Sequence, residues 1–459
     1  MPIPETALAD LRAVLGERLS TGESERALHA ASETFHRAPP PDAVAFPLTT
    51  DEVAATLKIC NAHGVPVIGW GTGTSLEGHA LAVRGGLVLD LMRMDRVLDI
   101  RPEDMLAVVQ PGVTREALNL ELRATGLMFP VDPGANASLG GMAATRASGT
   151  TAVRYGTMRQ NVLALEVVLA DGRVIRTGTR AAKSSAGYDL TALMVGSEGT
   201  LGIITELTLR LHGQPEDVAA AVCAFPTLTD AVTCVAQTMQ MGIPMARIEF
   251  MDPMGMRAVN LHMGSDYPEQ PHLMIEFNGS PDAVKADAEA FAALAEENGG
   301  TGFAWATSME DRNRLWAARH ASYHATLKLR PGATGVVTDI CVPMSELPAA
   351  VAAAAADMEA EGIIGDIVGH VGDGNFHTLM LVDPDSKDEV ATAKAVARRM
   401  AERALAVGGT ISGEHGIGVG KRDLMEAQHG EAWAVMAAIK NALDPNGIMN
   451  PGKMVPDMN

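Results

Sequence analysis

The sequence predicts an α+β chain of more than one domain, on three observations. At 459 residues, 47% of them apolar, it can bury more than one ordinary core. Helical stretches opened by hydroxyl–Glu capping pairs alternate with short apolar runs bounded by glycine, a mixture of helices and strands. The pattern also changes near Gly213, and from about Pro215 to Asp383 strands alternate with alanine-rich helices. The expected layout is a first domain over 1–213, with its main body from about 39 after a helical segment. A second α+β domain spans 214–411, and a C-terminal segment spans 412–459.

Taken in order, the first landmark is APPPDAVAFP, Ala38 to Pro47. Three consecutive prolines cannot sit inside a helix, so this reads as a linker. Thr49 and Glu52 have capping-box spacing, a helix follows, and Gly64 closes it. Val65 to Trp70 reads as a buried strand leading into a glycine-rich loop. Gly86 to Leu91 and Leu106 to Gly112 read as further strands, and Thr114 to Thr125 as a short helix ended by Gly126. Leu165 to Gly178 is a β-hairpin with Asp171–Gly172 at its turn. Ser386 and Glu389 open a second capped helix that ends near Gly408. The last helix is stopped by Pro445 and followed by a turn-rich tail.

The formal net charge of -20 opposes binding to nucleic acid or anionic lipid, so neither is expected as a partner. A local basic pocket for an anionic substrate remains compatible with it. The four cysteines, Cys60, Cys223, Cys234 and Cys341, form no CxxC pair and read as reduced, mostly buried thiols. The first twenty residues contain Glu5, Asp10 and Glu17 and lack an apolar core, unlike a secretory or transit peptide. No run of 18 apolar residues occurs. The expectation is a cytoplasmic chain, at most peripheral to a membrane.

Three glycine-rich, hydroxyl-bearing loops stand out. Gly71-Thr72-Gly73-Thr74-Ser75 follows a strand, and its amides can wrap a pyrophosphate. Leu76 stands where a dinucleotide fingerprint needs its third glycine, and no Gly-Lys-Ser/Thr follows, so it is neither of the two common phosphate loops. The second runs from Asp132-Pro133-Gly134 to Ser138-Leu139-Gly140-Gly141. The third, Gly196 to Gly202, precedes the apolar strand IITELTLRL. Three such loops in one domain suggest a long ligand such as a dinucleotide; three ordinary turns are the plain alternative.

GHVGDGNFH, Gly369 to His377, carries two histidines around turn residues. A strand, a tight connection and a returning strand would bring His370 and His377 together at a hairpin mouth, an arrangement that suits a divalent metal. Ser412-Gly413-Glu414-His415-Gly416 offers a third ligand. On extended backbone neighbouring side chains point opposite ways; Glu414 would then ligate, leaving His415 for the substrate. Histidines among glycines also occur as structural or surface residues. His320 and His324, i and i+4 on a predicted helix from Ser308, are a competing pair, although Ala321 stands where a metalloprotease needs Glu. That helix also carries Trp316, Arg319 and Tyr323 in one stripe. Arg319 there needs an anionic partner, or else lies solvated over a packed stem.

The motifs PVIGWGTGTSLEG, FPVDPGANASLGGMAATRASG, VRYGTMRQNVLALEVVLADG, GSEGTLGIITELTL, GHVGDGNFH, SGEHGIGVGKR and NPGK lie between Pro47 and Lys453. Together the chain resembles the vanillyl-alcohol oxidase and p-cresol methylhydroxylase superfamily, in its FAD-linked D-lactate dehydrogenase and glycolate oxidase branch. That resemblance implies an FAD-binding domain of the p-cresol methylhydroxylase type. It also implies an α+β substrate (cap) domain with an antiparallel sheet, and a tail returning to the FAD domain.

By the same resemblance Gly71, Thr72, Gly73, Thr74 and Ser75 would hold the FAD pyrophosphate, and Pro133, Gly134, Ser138, Gly140 and Gly141 the cofactor further along. Glu198, Gly199, Gly202 and Ile204 would meet the adenosine side, and Asn450 the flavin. FAD would be bound non-covalently. His79, where relatives carry a small residue, is expected at the surface or a pocket edge. His370, His377 and Glu414 would bind zinc or manganese, Asn375 would touch the substrate, Arg319 would grip its carboxylate and His415 would be the base.

The activity implied is oxidation of a D-2-hydroxy acid, D-lactate first, with cytochrome c, a quinone or an electron-transfer flavoprotein as acceptor. It leaves room for a homodimer. Val337 and Thr338 stand where the hydroxyglutarate branch has a lysine for a second carboxylate, which disfavours D-2-hydroxyglutarate. Glycolate is a further alternative within the fold. A flavin-free metallohydrolase and a non-enzymatic subunit are the alternatives of other classes.

Overall fold

Thr49 starts a helix as its spacing to Glu52 predicts. In the computed structural model, which describes residues 2–306 and 308–456, the Thr49 hydroxyl accepts the Glu52 N–H at 3.3 Å. The helix runs Thr50–His63 and ends at Gly64, φ 64°. The Glu52 carboxylate turns to the Leu48 N–H at 2.8 Å and to Arg18 instead of closing the box at Thr49.

The chain divides into two compact units, one of 1–148, 155–214 and 414–459, the other of 149–154 and 215–413. Met1, Thr307 and 457–459, which fall within the expected domain spans, lie outside the described residues.

The first unit holds a four-stranded sheet in the order Leu19–Ser20, Ala43–Ala45, Leu87–Asp90, Val67–Trp70. The last three strands are parallel. Both faces are covered: Ala43, Ala45, Val67, Leu87 and Leu89 enter one core, and Val44, Ile68 and Val88 another. Burial on both faces explains why these strands read as unbroken apolar runs. Ala43–Ala45 corrects the linker expectation for Ala38 to Pro47. The three consecutive prolines, Pro39 to Pro41, end before it, and three residues suffice for a strand when flanking strands supply its hydrogen bonds.

A five-stranded antiparallel sheet follows, in the order Val97–Arg101, Leu106–Val109, Ile203–Arg210, Val162–Val168, Val174–Gly178. The last pair is the hairpin read from Asp171–Gly172. Near the C-terminus the chain lies beside Val67, whose carbonyl accepts the Asn450 N–H at 2.8 Å.

The second unit is built on an antiparallel sheet. Its order is Thr301–Ala306, Asp217–Ala224, His272–Gly279, Arg247–Met251, Gly365–Gly369, Asn375–Val382, Thr334–Val337, with Ile340–Cys341 pairing beside Asn375. Helices Pro253–Met263 and Met309–His320 contribute Met256, Val259, Leu315 and Trp316 to a core with Met274 and Val368. Helix Lys387–Ala406 begins at Ser386, whose hydroxyl accepts the Glu389 N–H at 3.3 Å. Among the described residues no helix is long and apolar enough to cross a membrane, and all four cysteines are free thiols.

Candidate active site

In the first unit the glycine loops meet. A Cβ on Gly71 would lie 2.3 Å from Ser138 Oγ, and one on Gly141 3.0 Å from the same atom. Only glycine permits that approach, so backbone amides and a hydroxyl share one small space. Thr72 and Thr74 join their hydroxyls at 3.0 Å, and residues 71–75 remain partly exposed. Gly140 is pressed on Pro111, whereas Gly134 is exposed and Pro133 half-buried. Gly202 backs onto Val167 and Val168, and Ile204 is buried in its strand. Gly199 has Asn450 as its neighbour, 4.0 Å from the place of a Cβ. A concave run of amides and hydroxyls that side chains would fill suits a phosphate-bearing cofactor.

Glu198 and Asn450 belong to a buried network in the same unit. Glu198 accepts the Ile417 N–H at 2.7 Å and the Gly418 N–H at 2.9 Å. His79 Nε2 lies 3.2 Å from Glu198 Oε1. Burial alone would raise the Glu198 carboxyl; attraction to His79 and the two N–H groups outweigh it and hold the group below the usual range. Asn450 Nδ2 donates to the carbonyls of Glu198 at 2.7 Å and His79 at 3.1 Å. Lys453, its ammonium lowered to about 7 by burial, donates to Leu81 O and Asn450 Oδ1. His79 is 5% exposed, so the surface placement expected as one alternative for it is corrected: it packs beside Glu198 and under the Asn450 amide.

In the second unit the hairpin forms as read. Gly365–Gly369 and Asn375–Val382 pair antiparallel, with a single 3-10 turn, Val371–Asp373, between them. The rings of His370 and His377 are 5.4 Å apart, nearly perpendicular. His370 Nδ1 lies 2.7 Å from Glu249 Oε1, and His377 Nδ1 lies 3.3 Å from Thr338 O and 3.6 Å from Asp339 Oδ1. Such partners fix the rings and make Nε2 the nitrogen to present to a metal.

Arg319 is buried, not solvated. Its Nε donates to Glu249 Oε2 at 2.9 Å, Nη2 lies 2.8 Å from the same oxygen, and Nη1 donates to Ser322 Oγ at 3.3 Å. The anionic partner sought for Arg319 is thus first of all Glu249, itself fully buried. Trp316 points elsewhere on the helix and donates to Glu276 at 2.7 Å. The expected stripe to Tyr323 is broken, because one helix ends at His320 and another starts at Ser322. The competing pair His320 and His324 is exposed on those two helices.

Asn375 donates to Asp339 Oδ1 at 2.8 Å and to Ile340 O at 2.9 Å. Ser412 donates to Asp339 Oδ2 at 2.7 Å. Gly413, the last residue of this unit, lies against the same pair, with its Cβ position 2.3 Å from Asn375 Nδ2. Below them Asp252 and Asp366 are buried, and Asp366 accepts from Thr326 at 2.8 Å. Burial raises both carboxyls, Asp252 to about 8 with the charge of Asp366 adding to it, and Asp366 to about 6 against the pull of Thr326 and Arg319.

Glu414, the next residue along the chain from Gly413, and His415 are on bent, not extended, backbone. Glu414 Oε1 and His415 Nε2 are 3.8 Å apart, so the expectation that they point opposite ways is corrected. Gly416, at φ 78°, closes a bend that the strand geometry assumed for them lacks. Sequence reasoning also missed Glu249 and Asp339. A lone acid in each of the apolar strings RIEFM and TDICV was the available signal.

The chain matches two family models: "FAD linked oxidases, C-terminal domain" over residues 214–454 and "FAD binding domain" over residues 41–178. It is 50% identical to "Probable D-lactate dehydrogenase, mitochondrial" of Danio rerio, with 98% of this chain and 92% of that protein covered. It is 42% identical to "D-lactate dehydrogenase [cytochrome], mitochondrial" of Arabidopsis thaliana, covering 99% and 81%. A solved structure of p-cresol methylhydroxylase with substrate bound superposes with a TM-score of 0.82 at 19% identity, covering 98% of this chain and 96% of that one. This last likeness is one of fold.

Proposed function

From a chain that belongs to the FAD-linked oxidases, we propose an FAD-dependent, metal-assisted dehydrogenase that oxidises D-lactate to pyruvate and passes the electrons to a cytochrome. The observation that carries it is Glu249 holding Arg319 and His370 together. A 2-hydroxy acid presents a carboxylate and a hydroxyl on adjacent carbons. A guanidinium beside a metal-binding imidazole matches that pair.

The FAD cradle is assigned to Gly71, Thr72, Gly73, Thr74 and Ser75, with Pro133, Gly134, Ser138, Gly140 and Gly141 further along. Gly199, Gly202 and Ile204 are assigned to the adenosine side and Asn450 to the flavin, whereas the Glu198 carboxylate, expected beside them, is engaged by Ile417, Gly418 and His79. His370 and His377, with Glu414 from the chain just after Gly413, would hold zinc or manganese. When bound, FAD supplies a hydride acceptor and the divalent ion a Lewis acid for the substrate hydroxyl.

The protein's own groups do the rest. Arg319 takes the substrate carboxylate on the guanidinium edge away from Glu249. His415 accepts the hydroxyl proton. Asn375, anchored by both amide bonds to Asp339 and Ile340, keeps its oxygen toward the substrate. Thr338 is buried and bonded to Thr378 at 2.9 Å, so it offers no cation to a second carboxylate, which favours a short acid. The net charge of -20 suits a basic protein as acceptor.

The test is a comparison of kcat/KM for D-lactate, L-lactate, glycolate and D-2-hydroxyglutarate with an artificial acceptor. D-lactate is expected to lead. A lead for D-2-hydroxyglutarate would overturn the substrate assignment.

A further inference from the structure

The turn that follows His415 is held from one side by a single carboxylate. Ile417 and Gly418 donate their backbone N–H groups to Glu198 Oε1 and Oε2 at 2.7 and 2.9 Å, one to each oxygen. Gly416 is packed directly on the same group: a Cβ there would lie 2.8 Å from Glu198 Oε1 and 2.6 Å from His79 Nε2. Val419 continues the grip through the Glu77 carbonyl at 2.8 Å. Glu198 itself has φ 54°, a left-handed conformation that costs a non-glycine residue free energy and persists only where the surroundings impose it. Asn450 ties the carbonyls of Glu198 and His79 together from behind.

We propose that Glu198 is a positioning residue. Its carboxylate, flanked by His79, holds the turn Gly416–Gly418 and thereby fixes the direction of the Glu414 and His415 side chains. This rests on the reading of His415 as the proton acceptor. It gives Glu198 a task other than touching the cofactor's adenosine end. Each carboxylate oxygen already receives a short backbone N–H from that turn, His79 flanks one of them, and the side chain is 2% exposed, so the group is turned to the chain.

Two variants of the FAD-loaded protein test it, E198Q and G416A. An amide offers one acceptor oxygen where the carboxylate offers two, so E198Q loses one bond and the charge on the other. Hydrogen exchange of the peptide spanning 412–421 is expected to quicken by about tenfold or more, the loss of one charge-assisted bond. Flavin absorbance per chain should stay at the wild-type level. With D-lactate kcat should fall while KM stays within about threefold, as befits a misplaced base rather than weakened binding. G416A leaves Glu198 in place and pushes the turn off it, so the same exchange signature is expected there, also if E198Q fails to fold.

Loss of FAD from E198Q with unchanged exchange at 412–421 would make Glu198 a cofactor contact and overturn the proposal. Unchanged exchange in G416A would overturn it too. Failure of the underlying reading has its own sign. H415A would still reduce its flavin rapidly with D-lactate, whatever the exchange data say.

Discussion

Glu249 orients His370: its Oε1 lies 2.7 Å from His370 Nδ1, and its other oxygen is held by Arg319. One buried carboxylate thus sets the imidazole of a proposed metal ligand and the guanidinium proposed for the substrate. E249Q should lower metal affinity by about 10–100-fold, the usual effect of losing a group that orients a ligand. E249A should also destabilise the protein by about 3–5 kcal/mol, because it leaves a buried guanidinium without its counter-charge. Metal titration and urea unfolding check the two. Wild-type metal affinity in E249Q would refute the orienting role.

His415 is assigned proton acceptance and no part in the cofactor cradle. H415A should therefore keep its FAD and lose the rate of flavin reduction by D-lactate, by about 100-fold or more, within the range for loss of a general base. Stopped-flow absorbance under anaerobic conditions is the measurement. Reduction at the wild-type rate would remove His415 from the mechanism.

How far the sequence foretold this depended on the kind of signal. The hairpin at His370 and His377 was legible because glycines and Asp373 mark a tight connection between apolar strands. The helix after Thr49 was legible because its cap is local. The strand Ala43–Ala45 was not, since its formation depends on neighbours far along the chain. Glu249 and Asp339 were hidden for the same reason: their meaning lies in partners 70 and 36 residues away. Glu414 and His415 were misjudged because a strand geometry was assumed for residues that Gly416 bends.

Asp252 and Asp366 give the second unit a pH dependence with a definite sign. Both carboxyls are raised in the folded state, Asp366 to about 6 and Asp252 to about 8, chiefly by burial. The folded state therefore keeps protons that the unfolded chain has lost. The stability this contributes is whole below the unfolded carboxylate value near 4, drains away as pH rises above it, and is gone once pH has passed the folded values of about 6 and 8. D252N, neutral at every pH and still able to accept the Gly255 N–H, should melt about 2–4 °C above wild type at pH 8 for each kcal/mol so relieved. At pH 5 the gain should be much smaller, and it should vanish only below the unfolded carboxylate value near 4. Thermal unfolding at both pH values checks it, and an equal offset at both would show that proton binding is not the cause.

Metal removal separates the two proposed ligands of the protein. Chelation should leave flavin absorbance intact and abolish its bleaching by D-lactate. Zinc or manganese should restore the bleaching in wild type, whereas H370A and H377A should not recover. Full bleaching in metal-free protein, verified by elemental analysis, would rule out a metal role in the reaction.

The most direct measurement of the central claim is the visible spectrum of the purified, anaerobic protein before and after addition of D-lactate or L-lactate. The account predicts flavin absorbance that bleaches with the D isomer and is unchanged by the L isomer. Flavin absorbance indifferent to D-lactate, with metal present, would contradict the assigned substrate.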